Sequence, residues 1–322
     1  MRAAVAGLLL LSAGGHALAA SDVAPSEYAE PMPLASRSLL LDADRAGERI
    51  VAVGERGHLL VSGDEGQSWS QRRVPTVAML TAVHFHDERH GWAVGHDAVI
   101  LRTADGGGAW ERVHYAPEQE RPLLDVWFVD ARHGFAVGAY GYLLETRDGG
   151  GSWEPRELSD GDDYHLNQVA RGADGTLFIA AEAGQVYRSG DDGGHWERLS
   201  TPYAGSFFGV LPLDPRQLLV MGLEGHLYRS EDNGESWQRV PLPTRAILHS
   251  GLRLQDGTVL LVGLGGTLLV SRDAGRSFTL QQLADRLGNA AGLELRNGGL
   301  LLLGEGGARS LARERFAASA GK

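Results

Sequence analysis

One eight-residue motif recurs six times along the chain and limits its possible folds more than any other feature. The copies read SGDEGQSW, TADGGGAW, TRDGGGSW, SGDDGGHW, SEDNGESW and SRDAGRSF. All fit Ser/Thr-x-Asp-x-Gly-x-x-Trp/Phe, and successive aspartates lie 41, 43, 43, 41 and 41 residues apart. A period of about 40 to 45 residues is typical of the four-stranded blade of a β-propeller. The motif residues are Asp64, Asp105, Asp148, Asp191, Asp232 and Asp273, with Trp69, Trp110, Trp153, Trp196, Trp237 and Phe278.

The rest of each period has the pattern of short strands. In the third repeat, DVWFV reads as an inner strand, GFAVG as a second, YGYLLET as a third and SWEPR as an outer one. Such β-branched, aromatic and aliphatic runs, bounded by Gly, Asp and Pro, indicate strands. No segment after the first twenty residues keeps a helical period. The motif therefore falls in the hairpin between the third and fourth strands.

A seventh unit, residues 290–316, has the strand pattern but lacks the motif. Seven units can close a ring, so the sequence predicts an all-β fold, a seven-bladed β-propeller of four-stranded blades like those of WD40 and YVTN proteins. We expect one propeller over residues 36–316 and a disordered tail at 317–322. Residues 20–35 form an N-terminal segment that could close the last blade, with a strand around residues 32–38 covering its open edge.

The motif itself predicts a turn that fastens each blade. Its aspartate can accept hydrogen bonds from N–H groups two residues on, as in an Asx-turn, and its glycine can supply a positive φ. The Trp or Phe can carry apolar surface between blades. A phosphate-binding loop would need Gly-Lys-Ser/Thr at a helix start, which these copies lack.

This motif is the Asp-box, or BNR repeat. Together with HGWAVG…VILRTADGGGAW and HGFAVG…YLLETRDGGGSW, it makes the chain resemble the photosystem II stability/assembly factor family over about residues 36–316. The resemblance implies a non-enzymatic assembly or stability factor for a membrane protein complex, acting on the exported side of a membrane. Asp-boxes also occur in sialidases and other glycosidases, so a carbohydrate-active or carbohydrate-binding propeller is the alternative. A pure interaction module is a third possibility.

The N-terminus predicts export. Arg2 precedes an apolar run, and Ala17-Leu18-Ala19 has the form of a signal-peptidase site. Residues 1–19 therefore read as a signal peptide cleaved near Ala19, which predicts a periplasmic protein without direct membrane insertion. The chain has no cysteine, so disulfides, thiolate metal sites and a lipid-modified cysteine are excluded. Removing Arg2 changes the net charge from −11 to −12, which argues against nucleic acid as a partner.

Candidate binding residues lie on the loops that join strands two and three, where propeller ligands usually bind. They are Glu55, Arg56, His96, Asp97, Tyr140, Glu182, Glu224 and Glu305. The blade-to-blade loops add Tyr115, Glu118, Glu120, Arg121, Asp160, Asp162, Tyr164, Tyr203, Phe207 and Arg245. This mixture of acids and aromatics could form a protein-docking face, or it could be a solvated rim.

Other chemistry has weaker support in the sequence. Glycoside hydrolysis requires a pair of carboxylates, and five loop carboxylates could converge near the axis to supply one: Glu55, Asp97, Glu182, Glu224 and Glu305. His84 and His86 share one strand face and could begin a metal site, but the aligned Trp127 and Val129 indicate packing positions. SDGDD at residues 159–163 lacks the glycine and terminal glutamate of an EF-hand loop. We therefore predict no catalytic residues, no metal and no cofactor, and a monomer whose partner is a membrane protein complex or another envelope protein.

Overall fold

The computed structural model describes residues 28–158 and 163–317, and in these residues the strands form seven antiparallel sheets. The strands of the first three blades are β1 (Leu40–Ala46), β2 (Arg49–Gly54), β3 (Leu59–Ser62), β4 (Ser70–Gln71); β5 (Leu80–Phe85), β6 (Gly91–Gly95), β7 (Ile100–Thr103), β8 (Glu111–His114); β9 (Leu123–Phe128), β10 (Gly134–Gly138), β11 (Leu143–Thr146) and β12 (Glu154–Arg156).

The remaining blades follow the same order along the chain. Their strands are β13 (Leu166–Arg171), β14 (Leu177–Ala181), β15 (Val186–Ser189), β16 (Glu197–Leu199); β17 (Phe207–Pro212), β18 (Leu218–Gly222), β19 (Leu227–Ser230), β20 (Gln238–Arg239); β21 (Leu248–Arg253), β22 (Val259–Gly263), β23 (Thr267–Ser271), β24 (Thr279–Gln282); β25 (Asn289–Glu294), β26 (Leu300–Gly304) and β27 (Arg309–Leu311).

Helical structure in the described residues is limited to single turns and one short α-helix. The helix α1 spans Glu314–Ala317. Single 3-10 turns span Ala35–Arg37, Glu55–Gly57, His96–Ala98, Pro117–Gln119, Glu182–Gly184, Leu223–Gly225 and Leu264–Gly266. Within the described part of the chain, no helix has the length and apolarity needed to cross a membrane.

The first strands of the blades form a closed ring around one axis. Each first strand contacts the first strand of the next blade, and β25 of the seventh blade contacts β1 of the first. The strand order within every sheet follows the chain. The predicted seven-bladed β-propeller is therefore confirmed.

The core lies between the blades, because side chains alternate across each strand. Leu143 packs into the interface of blades three and four, whereas its neighbour Leu144 packs into that of blades two and three. The motif aromatic of each blade packs against the preceding blade, as Trp153 does between blades two and three. Between blades six and seven this place is taken by Phe316 of α1, which is 2% exposed.

The Asp-box turn has the fastening role that the sequence predicts, with a different hydrogen bond. The Oδ1 atom of Asp148 accepts the N–H of Ser152 at 2.9 Å, four residues on rather than two. Its other partner, the Thr146 hydroxyl, accepts the N–H of Gly150 at 2.9 Å. Gly149 and Gly150 have φ of 76° and 83°, so the chain curls back over the carboxylate, and the N–H two residues on, that of Gly150, bonds Thr146 instead. An Asx-turn is therefore the wrong description.

Arginines link neighbouring blades through these turns. Arg102, Arg188 and Arg229 each precede the motif Ser or Thr of their own blade. Each donates to the carbonyl of the residue after the next blade's motif aspartate, at 3.2, 2.7 and 3.0 Å, respectively. In the third blade the corresponding residue is Glu145, which cannot donate such a bond.

The seventh blade closes without the strand that we expected from residues 32–38. In the part of the chain that the structure describes, its sheet has three strands, and Ala35–Arg37 form a 3-10 turn. The carbonyl of Ser36 accepts the N–H of Ala308 at 2.9 Å, so the segment contacts this blade as a connecting loop would. Pro31 and Pro33 precede the turn and cannot donate to a strand ladder, which accounts for the difference.

Several predicted segments fall partly or wholly outside the described residues. These are the signal peptide at residues 1–19, residues 20–27 of the N-terminal segment, and the tail after Ala317, the last residue of α1.

Candidate functional site

The turns between second and third strands form one end of the ring, which we call the loop face together with the blade-to-blade connections. In all seven blades the first turn residue donates its backbone N–H to the carbonyl just before the first strand. The bond lengths for Glu55, His96, Ala139, Glu182, Leu223, Leu264 and Glu305 are 3.1, 2.9, 2.9, 3.0, 3.2, 2.9 and 3.0 Å. This bond anchors each turn to the inner end of its blade.

The predicted residues at the middle of these turns point outward. Arg56, Asp97, Tyr140 and Glu224 have φ between 52° and 59° and are exposed. Tyr140 is 52% exposed, although it is a large aromatic. These four residues are therefore available for contact with a ligand.

The predicted glutamates at the first turn position act within their own blades. The carboxylates of Glu55, Glu182 and Glu305 accept the N–H groups of Leu39, His165 and Gly288 at 3.3, 3.1 and 2.8 Å. Each bond ties the turn to the loop that leads into the same blade. His96 holds the same position but is exposed. The structure thus divides the predicted set into a fastening group and an outward group.

The aromatic residues predicted on the connecting loops also divide into two groups. Phe207 is fully buried at the start of β17 and packs between blades four and five, so its placement on the loop face is wrong. Tyr203 packs its ring 5.2 Å from that of Phe207 and is half-buried. Tyr115 is 43% exposed, with the Arg112 guanidinium 4.3 Å from its ring centre. The exposed loop residues are Tyr115, Glu118, Glu120, Arg121 and Arg245; Tyr164 is half-buried, and Asp160 and Asp162 lie outside the described residues.

A groove of about 370 Å³ lies between blades three and four and opens on the loop face. It brings together three of the predicted residues, Arg121, Tyr140 and Tyr164, and adds Tyr142 and Arg156. Tyr142 is 6% exposed and lies 5.7 Å from the Arg121 guanidinium. We call this the blade 3–4 groove. Its volume falls in the range of roughly 300–1,000 Å³ that ligand sites occupy.

A buried carboxylate positions one wall of the blade 3–4 groove. Glu145 is 5% exposed, and its oxygens lie 2.9 Å from His133 Nε2, 2.5 Å from Arg147 and 2.9 Å from Arg156. Two arginines and one histidine thus contact the same carboxylate. The ion pair with Glu145 holds the Arg156 side chain in one place beside the tyrosines.

A second cavity, which the sequence reasoning missed, lies on the ring axis and has a volume of about 110 Å³. We call it the axial recess. Every first strand has a β-bulge after its first residue, as between Leu40 and Asp42, and a bulge re-aims side chains. The lining residues lie at the bulges: Leu41, Asp42, Thr81, Ala82, Leu124, Asp125, Asn167, Gln168, Phe208, His249, Ser250, Ala290 and Ala291.

Two carboxylates of the axial recess also connect blades. Asp42 accepts the N–H of Val83 in the next blade at 2.9 Å, and Asp125 accepts that of Val169 at 2.9 Å. Burial raises the pKa of Asp125 to about 7. Burial also raises the pKa of Asp42 well above its ordinary value, and the charge of Asp125 raises it further. The sequence does contain a signal for this recess, because an aspartate occurs at the same position of two apolar strands, LLLDADR and LLDVWF.

His84, one of the two histidines that could have begun a metal site, instead packs against neighbouring side chains. The ring of His84 lies 4.3 Å from that of Trp127, and its Nδ1 atom lies 3.6 Å from Asp44. Burial lowers the pKa of His84 to about 3 and raises that of Asp44 to about 6, so this contact joins a neutral imidazole to an acid. Among residues 28–158 and 163–317, no group of three or more His, Asp or Glu side chains could hold a metal ion.

A family model described as photosynthesis system II assembly factor YCF48 matches residues 67–122 and 114–258, more than half of the chain. The chain belongs to this family. One relative, "Photosystem II assembly lipoprotein Ycf48" of Parasynechococcus marenigrum, is 41% identical over 143 residues, which are 43% of this chain and 42% of the relative. The matches span 12% to 42% of the lengths of the curated relatives.

Solved structures share the fold at low identity. "YCF48 bound to D1 peptide" superposes with a TM-score of 0.70 at 20% identity, covering 90% of this chain and 95% of that one. A streptogramin B lyase gives 0.72 at 13% identity, covering 89% and 96%. These likenesses concern the fold alone. With the family established, the carbohydrate-active alternative is not favoured.

Proposed function

We propose that this protein is a non-enzymatic, exported and monomeric scaffold that assists the assembly of a membrane protein complex. In this proposal, the loop face docks an extended segment of one subunit. Family membership supports the assembly role, and one solved relative is YCF48 bound to a D1 peptide. The N-terminal 19 residues, with the form of a signal peptide, support export.

The observation that carries the proposal is the blade 3–4 groove. Tyr140, Tyr142 and Tyr164 offer aromatic faces and hydroxyl groups, and Arg121 and Arg156 offer fork-shaped donors. Tyrosine and arginine are the residues that concentrate binding energy at protein interfaces. An extended peptide needs such a combination, because its backbone carbonyls require donors while its side chains require apolar contact.

Among residues 28–158 and 163–317, neither the blade 3–4 groove nor the axial recess is lined by any of the loop carboxylates predicted to converge near the axis. The pair of acids near the axis lies in the axial recess, whose 110 Å³ is well below the roughly 300 Å³ of a small ligand pocket. Three of the five loop carboxylates predicted to converge there instead bond backbone N–H groups within their own blades. We therefore assign no catalytic residue.

The test is affinity capture of tagged mature protein from detergent-solubilised native membranes, with mass spectrometry. We expect a stoichiometric membrane protein that is lost with Tyr140→Ala and Arg121→Ala and retained with Tyr115→Ala, an exposed tyrosine outside the groove. Retention of the partner by the groove variants would place the docking site elsewhere. Absence of any partner at low salt and after crosslinking would contradict the scaffold role.

A further inference from the structure

The axial recess holds two carboxyl groups and no basic side chain to pair with them. Asp42 of the first blade and Asp125 of the third line it, and no lysine or arginine is among its lining residues. Its one histidine, His249, has its pKa lowered by burial, which favours the neutral ring. The recess therefore lacks an internal cation.

The recess lies at the same end of the ring as the proposed docking surface. In each blade the bulge follows the first residue of the first strand, and that residue pairs with the last residue of the second strand. Leu40, for example, pairs with Gly54, which immediately precedes the turn Glu55–Gly57. A chain lying across the loop face would thus pass over the recess.

The remaining lining suits the hydrocarbon stem of a basic side chain. Leu41, Leu124 and Phe208 provide apolar and aromatic surface, and Asn167 and Ser250 provide neutral polar groups. Lysine and arginine bury their methylene stems against apolar surface, and an aromatic face attracts a cation. A bare metal ion would instead need more ligating side chains than the described residues bring together.

Resting on the proposed function, we propose that the axial recess receives the ammonium or guanidinium end of a lysine or arginine side chain carried by the docked protein. Asp42 and Asp125 face this group from two sides. In the free protein, burial keeps the two carboxyl groups protonated. When the cationic group binds, the carboxyls ionise and release their protons to solvent. His249 from β21, and Asp44 and His84 two residues further along their strands, are the other titratable groups nearby.

The test uses butylguanidinium and butylammonium as probes, with butanol as the neutral control and potassium chloride as the free-ion control. Calorimetric titration of the folded mature protein should show binding of both cations and no binding of butanol. Affinity should rise about tenfold from pH 5.5 to pH 8. Titration in two buffers of different ionisation enthalpy should show proton release at pH 6.5, a readout that requires no variant.

Variants then assign the site. Asp125→Asn and Asp42→Asn keep an acceptor for the N–H of the next blade, and each should weaken butylguanidinium at least tenfold. Glu88→Gln, an exposed residue in the hairpin between β5 and β6, should leave it unchanged. Equal binding by wild type and both recess variants, or equal binding of butanol, would overturn the proposal. Competition by potassium at the same concentration would show a free-ion site and also overturn it.

Partner capture separates this inference from the docking role. If Asp42→Asn and Asp125→Asn capture the partner as well as wild type does, the inference fails while the scaffold role stands. If Tyr140→Ala also leaves capture unchanged, the docking site proposed in the blade 3–4 groove fails as well.

Discussion

The carboxylate of Asp125 accepts the backbone N–H of Val169 at 2.9 Å, across the boundary between the third and fourth blades. First strands of neighbouring blades have no ladder between them, so their inward N–H groups need side-chain partners. Asp42 supplies one for Val83, and Gln168 supplies one for Val210 at 2.8 Å. A carboxyl group is thus held at the ring axis because it serves a backbone donor.

This position gives the protein a specific pH dependence. Burial raises the pKa of Asp125 from 3.8 to about 7, so the folded chain keeps a proton that the unfolded chain releases near pH 4. The free energy of unfolding therefore falls as pH rises from 4 to 7, by at most on the order of 4 kcal/mol for this group. Asp125→Asn should flatten the melting temperature over this range. An unchanged slope, equal to that of Asp97→Asn, would contradict this account.

The Asp-box aspartates respond in the opposite direction. Hydrogen bonds from Ser152 and Thr146 hold the pKa of Asp148 at about 2, so its contribution is present above pH 4 and lost in stronger acid. Asp148→Ala should lower stability by about 1–2 kcal/mol at pH 6. Partner capture should remain unchanged. Thermal unfolding beside Glu154→Ala, an exposed change in the same blade, tests this, and loss of capture at unchanged stability would make the motif a binding site.

Phe316 should contribute more to stability than any other residue of α1. It fills the interface of blades six and seven, where the other interfaces have a motif aromatic. Phe316→Ala should cost roughly 3–5 kcal/mol, because it removes a buried ring and leaves a cavity. Leu264→Ala, at a side chain that is 38% exposed, should cost under about 0.5 kcal/mol. Denaturant unfolding measures both, and equal midpoints would refute the assignment.

The arginine links between blades predict a smaller effect. Arg102 donates to the carbonyl of Gly149 in the next blade and also pairs with Glu111. Arg102→Met keeps the stem but removes both contacts, and it should lower stability by about 1 kcal/mol. Arg112→Met, whose guanidinium lies only over Tyr115, is the matched control. If the two variants unfolded at the same denaturant concentration, the blade link would have no measurable role.

Most of the fold could be predicted because it is repeated. The period of the motif identified the blades, and alternating short runs located strands such as β9 and β10 close to their observed bounds. Phe316 was not predicted as a blade fastener, since no motif surrounds it and most of its partners lie in the sixth blade. The proline-containing segment before Ala35–Arg37 was assigned a strand because ring closure, rather than its own residues, suggested one.

The candidate site was harder to predict than the fold, because a shift of one residue along a turn changes the direction in which a side chain points. Glu55 and Arg56 are neighbours in a single turn, yet Glu55 bonds inward to Leu39 and Arg56 points outward with a left-handed backbone. The axial recess was invisible for a related reason. Asp42 and Asp125 approach each other only after bulges in separate blades aim them at a common axis.

The contact between Ser36 and Ala308 has a consequence for how the chain matures. It joins the beginning of the first unit to the end of the last, and no shared strand connects the two. Six blades can therefore stack in sequence as the polypeptide becomes available, but the ring cannot shut until the strands of the seventh unit are present to contact β1. A truncation that removed β25 to β27 would leave an open arc of six blades with two exposed apolar ends.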